Sequence, residues 1–264
     1  MTGLRGEGRS HVPVTWVGTS WKMTKTLAEA RRYARRLADA WGDGTAMPGV
    51  QPFVIPSATA IAAVRSELGS SPVLVGAQDA HWEDAGAWTG EVSVPQVADA
   101  GAVMVEIGHS ERREHFGETD ERVNAKVLAT LRHGLRPLVC VGETAAVRDE
   151  GGADAHVVRQ VEAALRGVDD PSGVLVAYEP VWAIGSRGRP AGPEDIVGVV
   201  AAIRASAPGV AGVLYGGSVA QGNAAELLAV PGVDGVFVGR AAWSVEGLVE
   251  IAYLAGRSRQ VPSP

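Results

Sequence analysis

The chain has only one cysteine, Cys140, among its 264 residues. A single cysteine excludes an internal disulfide and a cysteine-based metal cage, and it suits a reducing cytoplasm, where we expect the protein to reside. No apolar run is long enough to span a bilayer. The formal net charge is −6 and basic residues do not cluster, so neither a nucleic-acid partner nor a membrane partner is expected. Because the chain as a whole is negative, an anionic ligand would have to be bound by positive or N–H groups within its own site.

Length and composition favour one domain. Hydrophobic residues make up 46% of the chain, enough for a large core, and the length is near the roughly 250 residues of an α/β barrel. The first dozen residues lack the apolar centre of a signal peptide. We therefore expect a flexible extension at 1–12, a domain at 13–257 and a flexible tail at 258–264.

Short apolar runs rich in β-branched residues recur along the chain and alternate with helical patterns. The eight predicted strands are 14–18, 53–56, 73–77, 103–108, 137–142, 174–178, 212–216 and 235–239. The helical patterns include 26–41, 58–68, 154–165, 195–205 and 224–228. Apolar strands that alternate with helices are typical of a parallel sheet covered by helices. Eight units favour a single-domain (β/α)8 barrel over an open doubly wound sheet.

The third unit contains a long polar loop, 78–95, that carries Trp82 and Trp88. Two tryptophans make this loop too apolar to project alone into solvent. The sequence therefore predicts that a partner subunit covers it.

In such a barrel, chemistry takes place at the carboxyl ends of the strands. The polar residues expected at those ends are Ser20, Lys22, Gln78, His109, Glu143, Glu179, Ser218 and Arg240. A carboxylate, an imidazole and an ammonium group are therefore expected around one opening.

Glu179 ends an apolar strand and precedes Pro180, which biases the glutamate to extended backbone. The next four residues would form the apolar underside of a lid and are Val181, Trp182, Ala183 and Ile184. Closure of this lid would expel water and raise the basicity of the carboxylate. The alternative is that Glu179 only marks where a buried strand meets solvent.

His109 and Lys22 are candidate partners of this base. His109 follows Gly108 at a predicted strand end, where the free N–H groups of a following helix would favour a neutral imidazole. A neutral ring can donate a hydrogen bond to a carbonyl and exchange protons with its oxygen. Lys22 could stabilise a developing enediolate oxygen. The alternatives are a structural histidine and a solvated lysine.

Two glycine-containing turns are candidate phosphate sites. The segments 215–218 (YGGS) and 238–240 (VGR) each lie where a predicted strand gives way to a helix, so that backbone amides can face an anion. Loops after strands seven and eight commonly bind phosphate in barrels. The alternative is that both are ordinary turns.

The chain resembles the triosephosphate isomerase family through motifs that occur in the family's order. These motifs are SWKM, GAQD, GAWTGE, GHSERR with FGETDE, CVGET, AYEPVWAIG, YGGSV and DGVFVG, and the resemblance covers residues 14–254. It implies a (β/α)8 barrel, usually dimeric, that needs no cofactor or metal. It also implies interconversion of a phosphorylated ketose and aldose through an enediol(ate).

The resemblance implies a role for each matching residue. Glu179 would be the base, His109 the neutral electrophile and Lys22 the electrostatic partner, a pairing of base and neutral histidine that is this family's known pattern and does not follow from spacing. Glu111 would order Lys22. The substrate and its phosphate would be bound by Ser20, Lys22, Gly185, Gly217, Ser218, Gly239 and Arg240. The lid would lie within 180–190 and include Pro180 to Gly185.

The resemblance also implies a homodimer. The residues expected at its interface are Gln78, Trp88, Thr89, Gly90 and Glu91, and the loop that carries Thr89 would reach the other subunit's active site.

Three positions depart from the family pattern. Ser20 stands where the family usually has asparagine, and Arg240 replaces the second glycine of a GG pair. A positive φ at Arg240 would strain the backbone by about 1–2 kcal/mol. The segment 186–192 (SRGRPAG) differs from the usual lid hinge.

These departures leave three functional hypotheses. The sequence alone favours isomerisation of dihydroxyacetone phosphate and D-glyceraldehyde 3-phosphate, because the three catalytic residues are intact. Ser20 and Arg240 together could instead make room and supply a hydrogen-bonding arm for a four-carbon ketose phosphate, as in relatives from erythritol catabolism. A third hypothesis is a phosphate-binding scaffold without activity.

Overall fold

A computed structural model describes residues 14–45, 47–185 and 188–258, and in these ranges eight parallel strands close into a barrel in chain order. The strands are β1 Thr15–Ser20, β2 Val50–Ile55, β3 Leu74–Ala77, β4 Met104–Ile107, β5 Arg136–Val141, β6 Leu175–Tyr178, β7 Gly212–Tyr215 and β8 Gly235–Val238. β1 pairs with both β2 and β8, which closes the sheet. The predicted single-domain (β/α)8 barrel is confirmed.

Helices connect the strands on the outside of the barrel. The α-helices of the described ranges are α1 Leu27–Trp41, α2 Ile61–Leu68, α3 Val94–Asp99, α4 Ser110–Phe116, α5 Asp120–Arg132, α6 Ala145–Asp149, α7 Ala153–Ala164, α8 Pro193–Ser206, α9 Ala224–Leu228 and α10 Val245–Ser258. Short 3₁₀ turns occupy Ala58–Ala60, Pro171–Gly173, Val181–Ala183 and Arg240–Ala242. None of the helices described is long and apolar enough to cross a membrane.

Local chemistry explains where several elements begin. The Thr26 hydroxyl accepts a hydrogen bond from the Glu29 N–H, and the Glu29 carboxylate accepts one from the Thr26 N–H at 2.8 Å, so a capping box starts α1. β2 begins at residue 50, three residues before the predicted start, because pairing with β1 runs from Thr15 opposite Val50 and carries Pro52 within the strand. Prolines usually break strands, which hid this extension from the sequence.

The core has two layers. A small cluster fills the inside of the barrel and consists of Phe53, Ile55, Met104, Leu138, Cys140, Leu175, Ala177, Leu214 and Phe237. A larger apolar layer lies between the strands and the helices. Gly18 is required inside the barrel, because a Cβ there would lie 2.3 Å from the Phe53 ring. The filled interior leaves the carboxyl ends of the strands as the place for a site.

The extension predicted at 1–12 lies outside the described residues. Of the tail predicted at 258–264, residue 258 is the last residue of α10, and the rest lies outside the described residues. Residues 186 and 187 of the predicted lid also lie outside them.

Candidate active site

A cavity of about 550 Å³ opens at the carboxyl ends of the strands. It is lined by most of the residues predicted for the site, namely Ser20, Lys22, His109, Glu111, Glu179, Gly185, Gly217, Ser218, Gly239 and Arg240. Residues that are more than 200 positions apart in the chain therefore share one cavity. The sequence prediction that they surround one opening agrees with this geometry.

Glu179 follows β6 directly and is held by its backbone. Its N–H donates to the Val141 carbonyl at 2.7 Å, and only 4% of the residue is exposed. Glycines make the space for it. A Cβ at Gly216 would lie 2.6 Å from Glu179 Cγ, and a Cβ at Gly142 would lie 1.9 Å from the Glu179 carbonyl oxygen. The loops after β5 and β7 therefore need glycine at these positions to admit the glutamate.

The environment of Glu179 makes it a strong base when ionised. Burial, and after it the nearby Glu106 carboxyl, raises its pKa to about 8, against the opposing effects of Lys22 and Cys140. Within the described residues, Glu179 Oε2 has no hydrogen-bond partner. A carboxylate oxygen without a partner is free to accept a proton from a substrate.

His109 caps the N-terminus of α4 with its ring. The Glu111 N–H donates to His109 Nδ1 at 3.1 Å, so in the neutral ring the proton is on Nε2. His109 Nε2 lies 3.5 Å from Glu179 Oε2. Burial lowers the pKa of His109 to about 4, and the positive charge of Lys22 contributes. The geometry therefore gives a neutral imidazole that points an N–H toward the base.

A buried charge network supports the backbone before His109. The Gly108 N–H donates to Glu118 Oε2 at 3.1 Å, and Glu118 also contacts the ammonium of Lys126. Lys126 Nζ lies 2.7 Å from Asp79 Oδ1. Lys126 is 4% exposed and Glu118 is 5% exposed, so this pairing is shielded from water. These buried contacts therefore hold the loop between β4 and α4 in place.

Lys22 has a strained backbone and a paired side chain. Among the residues that the structure describes, it is the one non-glycine position with positive φ, at 50°. Gln78 Nε2 donates to the Lys22 carbonyl at 2.9 Å and so holds this conformation. Lys22 Nζ lies 2.6 Å from Glu111 Oε1. Gln78 was expected at a subunit interface, and the structure gives it this contact within the chain.

The first part of the predicted lid is tied to the barrel through Glu143. Trp182 Nε1 donates to Glu143 Oε1 at 2.7 Å, and the Tyr178 hydroxyl donates to the same oxygen at 3.2 Å. Glu143 is fully buried. The Arg148 guanidinium lies 4.5 Å from the centre of the Trp182 ring. The sequence placed Glu143 at a strand end but did not reveal this contact, because its partner Trp182 is 39 residues away.

The candidate phosphate loops also contact the lid. The Ser218 hydroxyl donates to the Ala183 carbonyl, and Arg240 Nη2 donates to the Gly185 carbonyl at 3.1 Å. The prediction of a strained backbone with positive φ at Arg240 is wrong. Arg240 begins a 3₁₀ turn and does not have a positive φ, so the backbone there suits any side chain. The arginine is exposed and reaches over the opening of the cavity.

The sequence analysis missed one acidic residue beside the site. Glu106 lies on β4, two residues after Met104 of the barrel interior, and is 3% exposed. Since side chains alternate along a strand, Glu106 also points into the barrel. Burial raises its pKa to about 7, while the nearby Ser20 hydroxyl and the charge of Lys22 oppose the rise. The one signal in the sequence was a carboxylate inside an otherwise apolar strand.

The loop 78–95 combines ring contacts of its own with polar contacts to α5, such as Arg132 Nη2 to Asp84 Oδ1 at 2.7 Å. The rings of His81 and Trp82 stack with centroids 4.1 Å apart, and Trp88 lies 4.5 Å from His81. Trp88 remains 48% exposed. The neighbouring interface candidates Thr89, Gly90 and Glu91 are exposed as well. An apolar ring beside three exposed residues is compatible with a covering partner.

Comparisons with known proteins give a consistent family. The family model described as Triosephosphate isomerase matches residues 15–255. A protein of Rhizobium etli named L-erythrulose-1-phosphate isomerase is 57% identical over 245 residues, which cover 90% of this chain and 91% of that protein. A protein of Mycolicibacterium smegmatis with the same name is 53% identical over 244 residues, which cover 91% and 92%.

A solved structure is similar over almost its whole length. The crystal structure of triosephosphate isomerase from Bartonella henselae has a TM-score of 0.81 and 32% identity, and the match covers 91% of this chain and 98% of that one.

Proposed function

Because the chain belongs to the triosephosphate isomerase family, we propose that it isomerises a four-carbon ketose phosphate, with L-erythrulose 1-phosphate as the first candidate. The enzyme class, an intramolecular oxidoreductase of the aldose–ketose isomerase type, follows from that membership. The observation that carries the four-carbon substrate is the higher identity to the relatives that bear its name, 57% and 53%, compared with 32% to a triosephosphate isomerase.

The substrate offers a proton next to its carbonyl. L-erythrulose 1-phosphate has a carbonyl at C2, a hydroxyl on C3 and a terminal hydroxymethyl group at C4. In the proposed first step, the Glu179 carboxylate takes the C3 proton. The electron pair of the broken C–H bond forms a C2–C3 double bond, and the carbonyl π pair moves onto the C2 oxygen. The product of this step is an enediolate, and Glu179 is a neutral carboxylic acid.

His109 and Lys22 handle the charge and protons on oxygen. The Nε2–H of neutral His109 donates to the enediolate oxygens, moves a proton to the C2 oxygen and regains one from the C3 oxygen. The ammonium of Lys22 stabilises the negative charge. Glu179 then returns its proton to C2, and the carbonyl forms at C3, so this substrate gives a second ketose phosphate where a triose would give an aldose. Electrons move only within the substrate, so no external oxidant or reductant is required.

The phosphate group is proposed to bind at the loops after β6, β7 and β8. Gly185, Ser218 and Gly239 line this end of the cavity. Ser218 and Arg240 both donate to carbonyls of the lid, so a phosphate at these loops is adjacent to the segment that closes. Binding at a distance from the reacting carbons can then favour lid closure, which excludes water from the enediolate.

Triose-phosphate isomerisation is the second candidate. The grouping of Glu179, His109 and Lys22 in one cavity supports it, as does the likeness to a triosephosphate isomerase structure at 32% identity. The sequence alone ranked this function first, and the relatives now favour the four-carbon substrate. The scaffold without activity is set aside, because the chain belongs to an enzyme family.

The test is to compare kcat/KM for L-erythrulose 1-phosphate and dihydroxyacetone phosphate with purified protein. We expect the four-carbon substrate to be preferred by at least about 100-fold, the discrimination that a hydroxyl-binding site can provide. Glu179→Gln, which removes the base and keeps the shape, is the control for contaminating isomerase. A preference for the triose phosphate would instead establish the second candidate.

We also propose that the protein forms a homodimer in the cytoplasm. The exposed Trp88 beside the exposed residues 89–91 supports a covering subunit. The single cysteine, buried Cys140, suits a reducing compartment. Sedimentation at micromolar concentration is expected to give twice the mass of the chain, and a monomer would contradict the dimer. Fractionation of cells tests the location.

A further inference from the structure

Glu106 is a buried carboxyl group that none of the proposed catalytic steps uses. It is 3% exposed, and within the described residues its Oε2 has no hydrogen-bond partner. It lies on β4 opposite Leu138, which belongs to the apolar cluster inside the barrel. A carboxyl group in such surroundings destabilises the folded protein unless something binds to it.

Ser20 connects Glu106 with the cavity. It ends β1, lines the cavity and is 5% exposed. Its Oγ also has no partner among the described residues. The hydroxyl is close enough to Glu106 to influence it, although no hydrogen bond of normal geometry joins the two groups. Two polar side chains, both more than nine-tenths buried, therefore lie near each other, and neither Ser20 Oγ nor Glu106 Oε2 has a hydrogen-bond partner in the part of the chain that the structure describes.

The position of this pair matches one part of the substrate. The proposed phosphate loops form one end of the cavity, and His109 and Glu179 lie at the reacting carbons. The cavity is also lined by Phe237, which belongs to the cluster inside the barrel, so part of the cavity floor faces the barrel axis. In the proposed pose, with the phosphate at the loops and the C3 proton facing Glu179, the remaining C3 substituent extends toward this floor. In the four-carbon substrate that substituent is the C4 hydroxymethyl group, and in the triose it is a hydrogen.

We propose that Glu106 and Ser20 form a polar subsite that binds the terminal C4 hydroxyl group and selects four-carbon substrates. The inference rests on the proposed function and adds the residues that set its specificity. A hydroxyl both donates and accepts hydrogen bonds, so it can satisfy the carboxyl oxygen and the serine hydroxyl together. A triose phosphate leaves both groups unpaired, and a site built to bind a hydroxyl discriminates strongly against an analogue that lacks it.

Three variants test the subsite. Glu106→Leu removes its polar group, Glu106→Gln keeps the shape and hydrogen bonding, and Met104→Leu alters the same face of β4 deeper in the apolar interior. Each variant and the unmodified protein are assayed with L-erythrulose 1-phosphate and dihydroxyacetone phosphate. The two substrates differ only by the C4 hydroxymethyl group. The ratio of their kcat/KM values therefore measures the contribution of the contact between Glu106 and the C4 hydroxyl group.

We expect Glu106→Leu to lower kcat/KM for the four-carbon substrate relative to that for the triose by about 10- to 100-fold, because a change in the ionisation of Glu179 acts on both substrates alike. Glu106→Gln is expected to remain within about tenfold of the unmodified protein on both substrates, and Met104→Leu within about threefold. Equal losses on both substrates would mean that Glu106 supports the fold and not specificity. An unchanged ratio in Glu106→Leu would overturn the subsite as well.

The assay of the unmodified protein separates the two levels of the proposal. When that protein acts on L-erythrulose 1-phosphate and Glu106→Leu leaves the ratio unchanged, the subsite is wrong and the proposed function stands. When the unmodified protein isomerises only the triose, the proposed function fails and the subsite fails with it.

Discussion

His109 lies between a backbone donor and the carboxylate of Glu179. Its Nδ1 accepts from the Glu111 N–H at 3.1 Å, and its Nε2 lies 3.5 Å from Glu179 Oε2. The ring therefore has one nitrogen fixed as an acceptor and the other free to carry a transferable proton. The identity of the protonated nitrogen follows from a main-chain contact, which mutation of side chains alone leaves in place.

This arrangement predicts the protonation state of His109. Burial and Lys22 lower its pKa to about 4, so we expect a neutral ring with its proton on Nε2 from about pH 5 upward. Nitrogen NMR of protein with labelled histidine measures both features. The reference is His115, whose side chain is exposed. Detection of an imidazolium at His109 at pH 6.5 would contradict the neutral electrophile.

The raised pKa of Glu179 predicts the pH dependence of activity. Burial raises this pKa to about 8, with Glu106 as the second cause, and the base must be ionised to take a proton. We therefore expect kcat/KM, which reports the free enzyme, to rise with pH between about 7 and 9. Glu106→Gln removes the neighbouring carboxyl, so the rise should move to lower pH.

The substrate phosphate also titrates, near pH 6, but its contribution is the same in both proteins and cancels in the comparison. A rise that occurs at the same pH with and without Glu106 would show that the two carboxyl groups do not interact.

Lys126 predicts a large loss of stability on substitution. Its ammonium is almost fully buried against Glu118 and Asp79, so Lys126→Met leaves the buried Glu118 and the half-buried Asp79 with Arg112 as their remaining cationic partner. We expect the free energy of unfolding to fall by about 1.5–3 kcal/mol, the contribution of a buried hydrogen bond to a charged group, measured by urea denaturation. Arg31→Met is the matched control, because Arg31 forms an exposed pair with Glu67 at 2.7 Å and should cost less than about 1 kcal/mol. Similar losses in both variants would show that burial does not set the cost.

The barrel and the main site residues could be predicted from the sequence because the signals are local. A strand that is apolar on both faces needs cover on both sides, and alternation with helices supplies it. The residues that follow such strands lie at the same opening, so the positions of Lys22, His109 and Glu179 could be predicted, whereas their roles came from the resemblance to the family and stay predictions. The boundaries of the strands could not be predicted in this way, because they depend on pairing with neighbouring strands. The early start of β2 at Val50 is an example.

Features that depend on contacts between distant residues could not be predicted. Glu106 sits in a run of apolar residues, and in a barrel strand both faces are buried, so the sequence does not show which face the carboxyl occupies. Its neighbour Ser20 is 86 positions away. The positive φ of Lys22 likewise depends on Gln78, whose amide holds the Lys22 carbonyl from 56 residues away. Neither contact has a local pattern.

Glu106 also predicts how stability changes with pH. Its pKa is about 7 in the folded protein and near 4.5 in an unfolded chain, so the folded state binds the proton more tightly. The stabilising effect of this proton is fully present below pH 4.5 and is lost as the pH rises through 7. We expect the free energy of unfolding to fall by roughly 3 kcal/mol across that window through this group.

Glu106→Leu removes the titrating group and lowers the pKa of Glu179. Both effects reduce the change of the free energy of unfolding with pH. Urea denaturation of the two proteins at pH 5 and pH 8 measures the difference. The leucine variant should be the more stable protein at pH 8, with a smaller gain at pH 5, because an ionised carboxyl is far more costly to bury than a protonated one. A gain of equal size at both pH values would mean that Glu106 keeps one protonation state throughout. Its cost would then come from packing and not from charge.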